Sequence, residues 1–268
     1  MAVKCKDIIR KMNDLAQENL AEEWDNVGLL IGDPEEEINT VLVALDAVPE
    51  VIDEAIKLKA DLIITHHPLI FKAIKSITRD KPLGESIYNL IQNNIGLYSA
   101  HTNLDIAYGG TNDTLAKLLE LENISLLEEI FEVEDGKYGM GRIGTLKKPL
   151  KLKDYALFVK ERLSLPSVRL VGDINKIINK VAITTGSGIS YLKSAIMKKA
   201  DLFITGDIKF HDAQEALKYG VSLLDAGHYG TEVIIVNVIK NYLESVQDEN
   251  FKFNIIVSKT NGEPFITL

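Results

Sequence analysis

The amino-acid sequence predicts an α/β protein of two related lobes, each built on a βαβ-type unit, and three observations carry that prediction. Short apolar runs alternate with amphipathic segments, as strands alternate with helices in α/β folds. The segment Ala55 to Thr65, AIKLKADLIIT, returns as Ala195 to Thr205, AIMKKADLFIT, with agreement at eight of eleven positions and an offset of 140 residues. Each copy follows a strand and a loop, and each is followed by a short strand ending in alanine, in LYSAHTNLD at 97–105 and LLDAGHYGTE at 223–232. Recurrence at a fixed spacing is the mark of a repeated supersecondary unit.

In chain order, Ile8, Met12, Leu15 and Leu20 mark an amphipathic helix that ends near Glu22-Glu23-Trp24-Asp25-Asn26. Strands follow at 27–31 and 40–45. Proline is tolerated in a first helical turn, so Pro49 opens a helix over 49–59. Residues 61–65 read as a short buried strand, 83–93 as a helix, 97–100 as a strand, and 111–121 as a helix capped by Thr111 or Asn112. The stretch 126–148, rich in acid and glycine, is the least patterned. The lobe boundary is therefore placed there, with residues 1–125 forming the first lobe and 126–268 the second, and with the C-terminal segment able to pack on the first.

Composition narrows the function. With 268 residues, 46% hydrophobic and 26% charged, the chain is long enough for one large core or two lobes and has ordinary globular usage. A net charge of −9 disfavours sequence-independent binding of nucleic acid or of anionic membranes. The opening MAVKCKDIIRKMNDL has no apolar h-region, and nowhere are there ~18 uninterrupted apolar residues, so a cytoplasmic location is expected. Cys5 is the only cysteine, which excludes an internal disulfide and any multi-thiolate site. A metal here would need imidazole and carboxylate ligands. No GxxxxGK[ST] is present, which argues against a Walker-type nucleotide site.

The five histidines fall in four places: His66-His67, His101, His211 and His228. Three of these places directly follow a predicted strand, where ligands of open α/β sheets bind. Pro68 biases His67 toward an extended backbone, which can splay the two adjacent rings into one cleft, and a pair of imidazoles is costly to bury without partners. His101-x-x-x-Asp105 and His228-x-x-x-Glu232 place a carboxylate four residues after a histidine, on one face if the turns are helical. The inventory is His66, His67, Asp105, His228 and Glu232, with His101 as a sixth candidate. It suits a dinuclear site in the cleft between the lobes, with a carboxylate bridging and coordination positions left open for water or substrate. Donors of this kind suit Zn, Fe, Mn or Ni, and two divalent ions per chain are expected. His101 or His211 can alternatively shuttle protons, since imidazole titrates near ~6.5. Thr184-Thr-Gly-Ser-Gly188 reads either as an anion cradle of backbone N–H groups or as a tight turn that needs glycine. Trp24 reads as a packing residue or as a platform for stacking.

The segments EEWDNVGLLIGDP, ADLIITHHPLIF, YSAHTNLDIAYGGTND, GRIGTL, VGD, TGSG, ADLFITGD and LLDAGHYGTE, in this order over nearly the whole chain, resemble the Nif-three-like family, often labelled GTP cyclohydrolase 1 type 2 homologues. The resemblance implies an α/β protein with a dinuclear metal centre, commonly assembled as a toroidal homohexamer. It maps the family's metal ligands onto His66, His67, Asp105, His228 and Glu232, and His101 onto a position that joins the site in some members. Phe210-His211 stands where many relatives have a His-His pair, and the insertion of longer relatives is absent. The implied activity is that of a metal-dependent hydrolase acting on a nucleotide-like, cyclic amidine or phosphoester small molecule. The rival class is a non-enzymatic metal-binding or interaction protein.

Overall fold

The computed structural model describes residues 2–133 and 136–267. In chain order its first elements are α1 (Cys5–Leu15), β1 (Gly28–Ile31), β2 (Thr40–Ala44), α2 (Pro49–Leu58), β3 (Leu62–Thr65), α3 (Pro82–Gln92), β4 (Gly96–Ser99) and α4 (Thr102–Ile106). The next are α5 (Thr111–Leu118), β5 (Glu122–Val133), β6 (Gly136–Lys151), α6 (Leu152–Arg162), β7 (Arg169–Val171), β8 (Ile177–Ile183), α7 (Leu192–Met197), β9 (Leu202–Thr205), α8 (Phe210–Lys218), β10 (Ser222–Asp225) and α9 (His228–Glu232). Last come α10 (Ile234–Ser245) and β11 (Asn254–Val257). The chain forms two compact units: Met1–Ala107 with Ile235–Gly262, and Tyr108–Ile234 with Glu263–Leu268.

Two expectations about the elements change. The first helix stops at Leu15, and Leu20 belongs to a separate 3-10 turn over Glu18–Leu20. Of the unpatterned stretch 126–148, residues 126–133 lie in β5 and 136–148 in β6, an antiparallel pair of the second unit with register shifts between Glu122 and Ser125 and between Glu129 and Phe131. Each shift turns the following side chains to the other face, which erases the period-two alternation that marks a strand in sequence.

The first sheet has the order β1-β4-β3-β2-β11 and the second β5-β6-β8-β9-β10-β7. Both share a run of three parallel strands, β2-β3-β4 in one and β8-β9-β10 in the other, with an antiparallel strand beyond the third, β1 or β7, and in the first sheet β11 extends the parallel run beside β2. The duplication extends to single hydrogen bonds. Asp61 Oδ2 accepts the N–H groups of Asn39 and Thr40, and Asp201 Oδ2 accepts those of Asn179 and Lys180. Lys59 and Lys199, at φ 52 and 56, both turn the chain in the left-handed region between helix and strand. Gly32 and Gly172 have φ 122 and 123, where a side chain is strained, and a Cβ there would lie 3.0 Å from Gly96 Cα and 2.7 Å from Ser222 Oγ.

The central strands are apolar because both of their faces are covered. Leu62, Ile63 and Ile64 in β3, and Leu202, Phe203 and Ile204 in β9, have no exposed surface. In the second unit Leu202 and Ile204 pack with α5 and α6 on one face, while Phe203 packs with α7 and α8 on the other. In the first, Ile63 joins Val51, Ile52, Ala55 and Leu90 of α2 and α3. Among the described residues no helix is long and apolar enough to cross a membrane.

Candidate metal centre

In the first unit β3 ends at Thr65, and the N–H groups of His66 and His67 both donate to Leu45 O, at 3.2 and 3.0 Å. That shared acceptor breaks the strand's alternation, so the two rings come to the same side with centroids 5.0 Å apart. His101 caps α4 just after β4, its ring 5.2 Å from that of His66 and 5.4 Å from that of His67. The three histidines offer ligand atoms that all lie within 4.8 Å of one another. Buried Asp105, on α4, places Oδ1 3.6 Å from His66 Nε2.

In the second unit α9 begins at His228, and its helical turn brings Glu232 Oε2 to 3.1 Å from His228 Nε2. Glu232 is 3% exposed. Gly186 makes room for it: at φ +58, a Cβ on this residue would lie 1.9 Å from Glu232 Oε1 and 3.2 Å from His228 Nε2.

The ring tautomers follow from what holds the other nitrogen. His66 Nδ1 donates to Ala100 O (2.8 Å), His67 Nδ1 to Asp46 Oδ1 (2.7 Å), His101 Nδ1 to the Asp25 carboxylate (2.9 Å) and His228 Nδ1 to Asp207 Oδ2 (2.8 Å). Carbonyls and carboxylates only accept, so Nδ1 carries the proton and the lone pair of each neutral ring sits on Nε2. Metal-binding histidines are oriented in this way. Burial pushes the Asp25 carboxyl up, but hydrogen bonds from His101 and Thr102 outweigh it and hold it down at about 2. A fixed anion therefore stands behind the His101 ring.

Sequence reasoning named the rings but not Asp25, Asp46 and Asp207, which hold three of them. Asp46 and Asp207 sit just past the carboxyl ends of β2 and β9, a position that marks them as candidates. The structure bears on three other readings. The TGSG segment is a turn and not an anion cradle, because the N–H groups of Thr185, Gly186 and Gly188 already donate to Asn112 Oδ1, Thr231 Oγ1 and Thr205 Oγ1. Trp24 is 58% exposed, so it is not a buried packing residue. His211 is exposed on the first turn of α8, with Nδ1 3.3 Å from Gln214 Oε1.

Residues 3–264 match the family described as Duf34/NIF3 (NGG1p interacting factor 3). The chain belongs to the Duf34/NIF3 family. Among curated members, a protein of Clostridium perfringens named GTP cyclohydrolase 1 type 2 homolog is 39% identical over 98% of this chain and 99% of its own. A namesake from Clostridium acetobutylicum is 37% identical over 99% of each chain. The crystal structure of a Bacillus cereus protein related to NIF3 superposes with a TM-score of 0.92 at 27% identity, covering 100% of both chains. A Staphylococcus aureus protein superposes at 0.90 and 34% identity, again over 100% of both. The family's fold is thus present along the whole chain, and its His and Glu side chains form groups able to hold a metal ion.

Proposed function

We propose that this family member is a metal-dependent hydrolase in which His66, His67, His101, Asp105, His228 and Glu232 would hold a dinuclear metal centre. One observation carries the reading: all four histidines are oriented through Nδ1 so that Nε2 is the ligating atom, and carboxylates lie beside two of these nitrogens. These six donors would leave coordination positions open for water and substrate. Bound divalent ions polarise a substrate oxygen and bring the pKa of water toward neutrality. The chain's own part is to fix the donors, to keep a carboxylate charge behind His67, His101 and His228, and to bury Asp105 and Glu232 away from bulk water.

His101 serves in this reading as a ligand rather than a proton shuttle, because its Nδ1 is committed to Asp25 and its ring lies with those of His66 and His67. His211, exposed on α8, lies outside this donor set and keeps its role as a proposed proton shuttle. The relatives' names favour a nucleotide-like or cyclic amidine substrate, and a homohexameric assembly completes the proposal. The test combines elemental analysis with hydrolysis of a panel of nucleotides, phosphodiesters and cyclic amidines. Two ions per chain and turnover of one class are expected, with Asp105→Asn and His101→Ala losing metal and turnover together. A reconstituted stoichiometry of zero or one would end the dinuclear reading. Two ions with no turnover on any class would leave a binding protein in place of an enzyme.

A further inference from the structure

The first unit displays two large aromatic rings beside the histidine cluster that neither the core nor the donor set uses. Trp24 is 58% exposed and Phe71 45% exposed, their centroids 5.7 Å apart at an interplanar angle of 61°. Both rings stand edge-on to the ring of His101, at 6.2 and 6.4 Å. An exposed tryptophan gains little from burial, and isolated exposed side chains are ordinarily free to move.

This pair is held. Asp25, the next residue after Trp24, accepts hydrogen bonds from His101 Nδ1 and from the N–H and hydroxyl of Thr102, at 2.9, 3.0 and 2.6 Å. Asn26 Nδ2 donates to Ile70 O at 2.5 Å, which ties the segment carrying Trp24 to the residue before Phe71. On the other side of Trp24, Glu22 N–H donates to Thr102 Oγ1 at 3.0 Å, and Asp25 N–H returns to Glu22 O at 2.9 Å. The carboxylate that orients His101 thus also fixes the backbone that presents the indole.

We infer that Trp24 and Phe71 form a stacking lip that binds the flat face of a planar conjugated ring in the small molecule handled by this site, so that the ligand class is ring-bearing rather than a simple phosphoester or sugar phosphate. This rests on the proposed function. The physical reason is that an aromatic face offers sequence-tolerant stacking to any π-system, and that a platform fixed before binding loses little entropy when the ligand arrives. With two rings 61° apart, a flat group laid on one face meets the edge of the other, which is the arrangement aromatic quadrupoles favour.

Trp24 is the only tryptophan, so its fluorescence reports the lip without ambiguity. Full-length, metal-loaded protein is titrated with AMP, with GMP, and with ribose 5-phosphate, which lacks the ring. The expected result is saturable quenching by at least one nucleotide and none by ribose 5-phosphate. In calorimetry, Trp24→Leu should weaken nucleotide binding roughly 5- to 100-fold, the range for loss of one stacked base, while Trp24→Phe retains most of it. Phe71→Leu serves as a second variant, and metal content should be unchanged in all three. Equal binding of AMP, GMP and ribose 5-phosphate, no binding of either nucleotide, nucleotide binding that Trp24→Leu leaves intact, or a Trp24 signal shielded from acrylamide would each overturn the inference. The two readings fail separately. Metal-loaded protein without ring preference removes the lip alone, and ring preference in protein that holds no metal removes the metal centre alone.

Discussion

Each of the four histidines presents Nε2 because something else holds Nδ1, and for His67, His101 and His228 that partner is an aspartate. Such outer partners typically contribute ~10- to 100-fold in metal affinity. Asp46→Ala and Asp207→Ala should each weaken metal binding by about that factor, read by competition against a chelator of known affinity, with the circular dichroism unchanged. Gly186 gives a sharper case. An alanine there would be strained at φ +58, and its methyl group would occupy the place of Glu232 Oε1. Gly186→Ala is expected to displace Glu232 and to lower metal stoichiometry, whereas substitution at Gly220, where a Cβ meets nothing within 4 Å, should leave the stoichiometry alone. Equal metal loss from both variants would show that the effect is strain and not displacement of the carboxylate.

The strand-helix-strand frame is duplicated, but its donors are not. At the repeat offset of 140 residues, His66 and His67 correspond to Gly206 and Asp207, so the second copy supplies an orienting carboxylate where the first supplies a ligand. After β4 the histidine is the cap of α4, while after β10 Gly227 is the cap and His228 is the first helical residue. The two His-x-x-x-carboxylate motifs therefore enter their helices one residue apart. A different element closes the edge of the first sheet. Strand β11 pairs with β2, and the segment after it is fastened to α2 through Glu54, which accepts from Ser258 Oγ (2.5 Å), Lys259 N–H (3.0 Å) and Thr260 Oγ1 (3.1 Å). Burial raises the Glu54 carboxyl, and these hydrogen bonds outweigh it, so its pKa lies below the ordinary value. A group depressed in the folded state contributes stability that is present above its unfolded pKa, near ~4.3, and is lost as pH falls through the folded value. Glu54→Gln should cost about 1 kcal/mol in urea unfolding at pH 7. The difference from the parent should shrink as the pH is taken below ~4, and a gap that stays constant with pH would rule out the carboxylate as its source.

The proposed homohexamer predicts a mass in light scattering six times that of the 29.8 kDa chain, held at micromolar concentration. A stable monomer under those conditions would remove the assembly. Because each protomer carries its own six donors, the hexamer is expected to bind about twelve ions, and mass spectrometry under native conditions counts them directly.

The α/β class, the duplication and the identity of the metal-type side chains were legible in the sequence, because each leaves a local mark. Buried strands leave apolar runs such as LIIT and LFIT, a repeated unit leaves ADLxIT at a constant offset, and only histidine and carboxylates remain as ligands in a chain with one cysteine. The irregular antiparallel pair of β5 and β6 left no such mark, since its bulges reverse the alternation. Nor was the tautomer of any histidine legible, because it depends on partners distant in sequence: Asp46 lies 21 residues from His67, Asp207 lies 21 from His228, and Asp25 lies 76 from His101. The sequence placed Trp24 in an acidic loop and left the TGSG segment open between an anion cradle and a tight turn, because exposure and the destination of an N–H are properties of the packed chain. Only tertiary structure set the indole beside His101 and turned Gly186 into the space that Glu232 fills, because which atoms meet is decided by long-range packing and not by spacing along the backbone.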